Sequence, residues 1–327
     1  MINVANKKYL SENDIIYKYL NKLSFKKKET FNFKNDGAYL KYKKNKVIVV
    51  TNDTISESID FIKSDEPSSI AQKIITYNLS DISSMGAQPY SYTLSLSLPD
   101  GISERWIKNF TKKLFYLQKK YKIFLLGGDI SKSSQIIISA NFYGYVEKNL
   151  IIKREFPRVG DSIWVTGNIG ESYLGLLFKQ NKLTFNKKYK KYFHLKYLYP
   201  NPCMIGLKIK NISTSAIDIS DGFCGDLSKL LNKQNLGADI LVSQIPFSTK
   251  TKNLLRNKII DTKSILNGGD DYELIFTTSD KMDKKIHNIS KKNKCKISKI
   301  GKIINKNGIF LDGKKILFSA DSFQYFF

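Results

Sequence analysis

Ala216–Leu227, AIDISDGFCGDL, places Asp218, Asp221 and Asp226 among Ile217, Ile219, Phe223 and Leu227. Two of these carboxylates flank Ser220 inside an apolar run, in a chain with 29 acidic residues against 54 lysines and arginines. Carboxylates crowded into apolar surroundings repel one another unless a proton or a cation relieves them. A bound metal is one such relief, and the pattern recurs. Asp36, Asp53, Asp81, Asp129, Asp218 and Asp221 all stand at or beside the ends of long apolar segments. Separated in sequence, they are candidates to converge in space. Hard divalent cations such as magnesium take oxygen ligands of this kind and bridge them to substrate phosphates.

The segments around these acids alternate between strand and helix periods. VIVVTNDT (47–54) reads as a short buried strand delivering Asp53 at its end, and IFLLGGD (123–129) as a second. YSYTLSLSLP (90–99) sets Tyr92, Leu94, Leu96 and Leu98 against Thr93, Ser95 and Ser97, a half-buried strand with one polar face. QIIISANFYGYV, ADILV and YELIFTT are further strands, and SIWVTGNIGES reads as strand, glycine turn and helix start. Ser11 with Asp14 resembles a capping box, followed by Ile15, Ile16, Tyr19, Leu20 and Leu23 at helical spacing. Pro67 opens a helix carrying Ile70, Ile74, Tyr77, Asn78, Asp81 and Met85, which Gly86 and Pro89 end. Asn78 and Asp81 share one face of it, as a satisfied core pair or as part of a site. Ile107, Phe110, Leu114, Leu117 and Tyr121 form another helical stripe. Gly127 and Gly128 allow close backbone approach before Asp129, with amides free to bind an anion, or else form a simple turn capped by Asp129.

A chain of 327 residues, 42% hydrophobic, can bury two cores, and a polar stretch near residue 150 divides it into domains of 1–150 and 151–327. No apolar run approaches the roughly 18 residues that span a bilayer, and the opening MINVANKKYLSENDIIYKYL lacks a signal-peptide core, so a soluble cytoplasmic protein without membrane association is expected. Cys203, Cys224 and Cys295 form no CxxC pair and read as reduced thiols. The net charge of +25 is carried by lysine, with Arg105, Arg154, Arg158 and Arg256 the only arginines. Base readout leans on the planar arginine fork, so the charge reads as solubility and diffuse polyanion attraction rather than specific nucleic-acid binding.

P-loop, dinucleotide GxGxxG and kinase HRD or DFG motifs are absent, and the two histidines, His194 and His287, lie in lysine- and tyrosine-rich segments. Phosphoryl transfer by metal clamping remains open, because it depends on positioning and charge neutralisation rather than covalent chemistry.

TNDT with Asp60-Phe61 after it, YNLSDISSMGAQP with LSLSLP, LLGGDIS, GDSIWVTGNIGES, AIDISDGFCGDL and GGDDYELIFT together resemble, in the same order, the successive motifs of the thiamine-monophosphate kinases. Carried by six collinear fragments, the resemblance spans essentially the whole chain. The resemblance implies a two-domain α/β (α+β) fold shared with aminoimidazole ribonucleotide synthetase, the hydrogenase-maturation factor HypE and selenophosphate synthetase. Its N-terminal domain binds ATP and magnesium and pairs across a homodimer, and its C-terminal domain is α/β. The implied reaction passes the γ-phosphoryl group of ATP to thiamine monophosphate, giving thiamine diphosphate, with several magnesium ions drawing the two polyanions together.

Carried over position by position, the resemblance implies Asp36, Thr51, Asn52, Asp53, Asp81, Asp129, Asp218 and Asp221 as magnesium ligands. Asp129, Asp218 and Asp221 are the catalytic set among them. It implies Gly128, Asp129, Arg154 and Ser220 near ATP, and Asp60, Asp270 and Phe323 in the acceptor pocket. Two departures fall in that pocket: Asp60 stands where histidine is common and Asp270 where glutamate is usual. Asn52 replaces a threonine, and KNDGA keeps Asp36 but puts Asn35 where an aspartate is typical. The competing readings are another ATP-using enzyme of the same fold, of the aminoimidazole ribonucleotide or selenophosphate synthetase type, and a basic noncatalytic nucleic-acid-binding protein.

Overall fold

The structure is a computed structural model that describes residues 10–231 and 235–316. The described chain divides into two units: residues up to 78 together with 89–145, and residues 79–88 together with 146 onward.

In the N-terminal unit the Ser11 hydroxyl accepts the Asp14 N–H at 3.1 Å while the Asp14 carboxylate accepts the Ser11 N–H at 3.0 Å, completing the capping box. The helix it opens is not continuous. α1 (Glu12–Asp14) passes into a π-turn over Ile15–Leu20 and a 3₁₀ turn over Asn21–Ser24. This winding still buries Ile15, Tyr19, Leu20 and Leu23, so the apolar residues find the core without one regular helix.

β1 (Lys46–Ser56), α2 (Pro67–Ser84), β2 (Gln88–Leu98), α3 (Glu104–Tyr121), β3 (Phe124–Lys132) and β4 (Ile137–Glu147) follow. The sheet order is β1-β4-β2-β3. β2 and β3 are parallel, with α3 as the crossover such a pair requires. β2 buries Tyr92, Leu94, Leu96 and Leu98 and leaves Thr93, Ser95 and Ser97 partly open, as the alternation predicts. The expected burial of 47–54 is wrong. β1 lies at the sheet edge, so only Val49 and Ile55 are buried, while Ile48 and Val50 are 43% and 57% exposed. Asp53 falls within this strand rather than at its end.

The C-terminal unit carries β5 (Ser162–Thr166), α4 (Glu171–Lys179), α5 (Lys187–Leu198), α6 (Gly206–Ile209), β6 (Ser215–Asp218), α7 (Phe223–Leu231), β7 (Gly237–Ile240), α8 (Thr249–Arg256), α9 (Thr262–Asn267), β8 (Leu274–Thr278), α10 (Asp283–Asn293), β9 (Ile297–Ile304), β10 (Gly308–Leu311) and β11 (Lys314–Ile316). The seven strands order as β11-β10-β7-β9-β5-β8-β6. β5 pairs antiparallel with both β8 and β9, and its five residues are all buried. One apolar cluster joins Ile163, Val165, Ile217, Phe223, Leu227 and Ile275, and another gathers Trp164, Ala216, Leu274 and Phe276. β6 therefore ends at Asp218 between two packed layers, which fixes where the turn after it must emerge.

Candidate active site

The three crowded aspartates of the 218–226 turn are held in three different ways. Asp226, in the first turn of α7, is buried, and its Oδ2 accepts the N–H groups of Ser220 and Asp221 at 2.9 and 3.0 Å. Its Oδ1 receives Lys229 Nζ at 2.8 Å, and the same ammonium pairs with the Asp221 carboxylate. Asp226 thus shapes the turn, and Asp221 stands beside a cation at the rim.

Asp218 is 5% exposed, and its carboxyl is pushed up to about 8 by loss of water, then by the nearby charges of Asp81 and Asp226, with the charge of Arg154 opposing. The charges that crowd Asp218 are those of Asp81 and Asp226, whereas Asp221, across Ser220, is paired with Lys229. Of the Asn78 and Asp81 pair on one face of α2, Asp81 belongs with the Asp218 carboxylate. Asn78 is a core residue of the N-terminal unit: its side chain donates to Ile74 O at 3.1 Å and accepts the Thr51 hydroxyl at 3.0 Å.

The GGDD loop closes over the same turn. Asp270 N–H donates to Ser220 O and Tyr272 N–H to Ile219 O, both at 2.9 Å. Gly269 lies so near that a Cβ would fall 2.1 Å from Ser220 O. Asp270 and Tyr272 hold φ of +68° and +53°, uncommon for side-chain-bearing residues, and the Tyr272 hydroxyl donates to Asp270 Oδ1 at 2.8 Å. Asp271, which the sequence reading passed over, caps the start of α4 by accepting the Gly170 and Ser172 N–H groups at 2.6 and 3.3 Å. Loss of water raises its carboxyl well above the ordinary range, and raises that of Glu273 to about 7.

In the N-terminal unit, Asp36, Gly128 and Asp129 line a cavity of about 550 Å³, walled elsewhere by Ile16, Leu20, Phe33, Leu94 and Tyr143. The two glycines before Asp129 form no turn. They continue β3, where Leu126 is an extra residue opposite the Tyr92–Thr93 step of β2. A bulge there re-aims the following side chains. Gly128 is forced by the approach of β2, because a Cβ would meet Leu94 O at 1.9 Å. Thr51 and Asp53 share one face of β1. Asn52 points to the other, where its amide donates to Asn141 Oδ1 at 2.8 Å. Asp60 accepts the Ser56 N–H at 2.7 Å in the turn after β1. Phe323 lies outside the described residues. Among the described residues no three carboxylate, imidazole or thiol groups gather closely enough to hold an ion by themselves.

Residues 34–146 match the model of the AIR synthase related protein N-terminal domain, and residues 158–314 that of its C-terminal domain. The thiamine-monophosphate kinase of Buchnera aphidicola from Schizaphis graminum is 39% identical over 89% of this chain and 91% of its own length. The chain belongs to the thiamine-monophosphate kinase family. The crystal structure of the Stenotrophomonas maltophilia K279a member superposes with a TM-score of 0.84 at 30% identity, covering 94% of this chain and 98% of that one. A further member, AaThiL complexed with AMPPCP and TMP, superposes with a TM-score of 0.75 at 27% identity over 86% of this chain and 88% of its own. Against the family pattern, the short Asp270 is held by Tyr272 at positive φ, and Asp60 makes a turn-capping bond.

Proposed function

We propose that the chain is an ATP-dependent kinase that phosphorylates thiamine monophosphate to thiamine diphosphate. The observation that carries this reading is its likeness over most of its length to thiamine-monophosphate kinases, one of which holds AMPPCP and TMP.

The donor set fits magnesium. It consists of oxygen ligands, and one of them, Asp218, is pushed up to about 8 by burial and by the neighbouring Asp81 and Asp226 charges, a strain that a cation would relieve. Magnesium uses one or two carboxylates and completes its shell with water and phosphate, so a pair such as Asp81 and Asp218 suffices at one position. Asp36, Thr51, Asp53, Asp81, Asp129, Asp218 and Asp221 are assigned as ligands, with Asn52 contributing its main-chain oxygen. When bound, the ions neutralise the two phosphate groups and stabilise charge on the transferred group. Arg154, exposed and within electrostatic reach of Asp218, offers a planar fork to nucleotide phosphate. Gly128 and Ser220 bring main-chain groups to the nucleotide. Asp60, Asp270 and Phe323 are assigned to the acceptor, the two carboxylates facing its cationic ring rather than its phosphate, which they would repel. The exposed Ile48 and Val50 on the edge strand are apolar surface available to a second copy, in keeping with a homodimer. No helix among the described residues is long and apolar enough to cross a membrane, which is compatible with the cytoplasm.

A coupled assay with ATP, magnesium and thiamine monophosphate tests the reading. Thiamine diphosphate is the expected product, its formation abolished by EDTA. Turnover of another acceptor but never of this one overturns the reading.

A further inference from the structure

Lys73, the single lysine of α2, is 2% exposed. Lysine is almost never buried to this degree unless its ammonium is met by polar groups, and the desolvation it suffers makes such placement costly. Its Nζ donates to the main-chain oxygen of Asp60 at 2.7 Å. Asp60 itself closes the turn that follows β1. Its N–H donates to Ser56 O at 3.0 Å, and its carboxylate receives the Ser56 N–H at 2.7 Å. Ser58 adopts φ +74°, its N–H donates to Phe61 O at 2.7 Å, and Phe61 is buried beneath.

Two of these bonds to Asp60 arise within the turn, whereas the Lys73 bond comes from outside and ties the turn to a buried helix. Five residues further along α2, Asn78 holds Thr51 of β1 by its side-chain oxygen. One helix thus fixes both a strand residue assigned to metal and a turn residue assigned to the acceptor. Ile59 and Ile62, on either side of Asp60-Phe61, are 59% and 47% exposed. An anionic group flanked by open apolar side chains suits a cationic heteroaromatic ring.

We propose that Lys73 is a positioning residue for acceptor binding, holding the Asp60 carbonyl so that the 58–62 turn presents its carboxylate and isoleucines to the acceptor's ring. This rests on the kinase reading above. A methylene stem without its ammonium, Lys73→Met, keeps the volume and removes the tie. The KM for thiamine monophosphate should rise about tenfold, because small displacements of a binding group are costly, while kcat and the KM for ATP stay within about twofold. In an Asp60→Ala background the same substitution should add little, since the group being positioned is gone.

An unchanged acceptor KM in Lys73→Met with native near-UV circular dichroism overturns the proposal, as does a multiplicative rise in the double variant. Should Lys73→Met not fold, Lys73→Arg keeps the charge but displaces its donors. A selective rise in acceptor KM then supports the positioning role, and an unchanged one overturns it. Wild-type turnover of thiamine monophosphate is the separate control. If it is absent, the kinase reading falls. The anchoring is then judged by amide hydrogen exchange over residues 56–61, where faster exchange in the variant sustains it and wild-type exchange ends it.

Discussion

In the C-terminal unit the aspartates of the 218–226 turn are held by their surroundings: Asp226 by two amides and Lys229, Asp221 by the same lysine, and Asp218 by burial beside Asp81. In the N-terminal unit Asp36 and Asp129 are exposed at the lining of a cavity, placed by the course of the backbone and by a bulge in β3 rather than by partners around the carboxylate. A charge built into a packed layer contributes to folding as well as to chemistry, so its removal alters both. A charge presented at a surface bears little on folding. Substitutions in the two units should therefore differ in whether stability follows activity.

The largest separation is expected at Asp129. Asp129→Ala should reduce kcat/KM by about 10²–10³-fold, the usual effect of removing one group that stabilises transferred charge, and leave the melting temperature unchanged. A parallel fall in thermal stability would break the contrast between the units. Next comes Asp226→Ala, which leaves the Ser220 and Asp221 amides without their acceptor. It should cost about 3 kcal/mol in denaturant unfolding, and activity should fall with it because Asp221 loses its platform. Unfolding at the wild-type denaturant midpoint would show that the turn holds its shape without that carboxylate.

Asp218 sharpens the contrast through pH. Its folded value, about 8, lies above the ordinary carboxylate range. The folded chain therefore keeps a proton that the unfolded chain has released, and metal-free stability falls as pH rises from about 4 to about 8, then levels off. Asp218→Asn removes the ionisation, so in EDTA at pH 8 it should melt on the order of 3–6 °C above wild type, with the gap closing toward pH 5. Magnesium should stabilise wild type more than the variant. A pH-independent difference would mean that packing, not charge, separates the two proteins.

Much of this architecture was legible from two periodicities. The alternation in 90–99 and the stripe from Ile107 to Tyr121 were read directly, because each element buries one face against one core. The β-branched run at 47–54 misled, since a strand at a sheet edge and one at its centre share the same residues and differ only in neighbours. The acids of the 218–226 turn announced themselves by crowding. Lys73 and Asp271 did not, for a buried lysine in a helix and the second of two adjacent aspartates carry no spacing signal. Nor did Cys203 and Cys295, which are distant in sequence yet bring their sulfurs to 3.8 Å. Contacts made by tertiary approach leave little local trace.

The smallest effect should come from Asn52, and it examines the strand geometry on which the N-terminal assignments depend. Alternation along β1 puts Asn52 on the face opposite Thr51 and Asp53, where its amide donates to Asn141 at 2.8 Å at an exposed position. If only the main-chain oxygen of Asn52 serves the metal, Asn52→Ala should leave stability within about 0.5 kcal/mol, as is usual for surface positions. The magnesium concentration for half-maximal activity should shift by less than about threefold. Thr51→Val, on the other face, removes a hydroxyl bonded to Asn78 and should shift that concentration further. If Asn52→Ala instead has the larger effect on magnesium dependence, the side chain at 52 reaches the metal in the working enzyme and the two-face description of β1 is wrong.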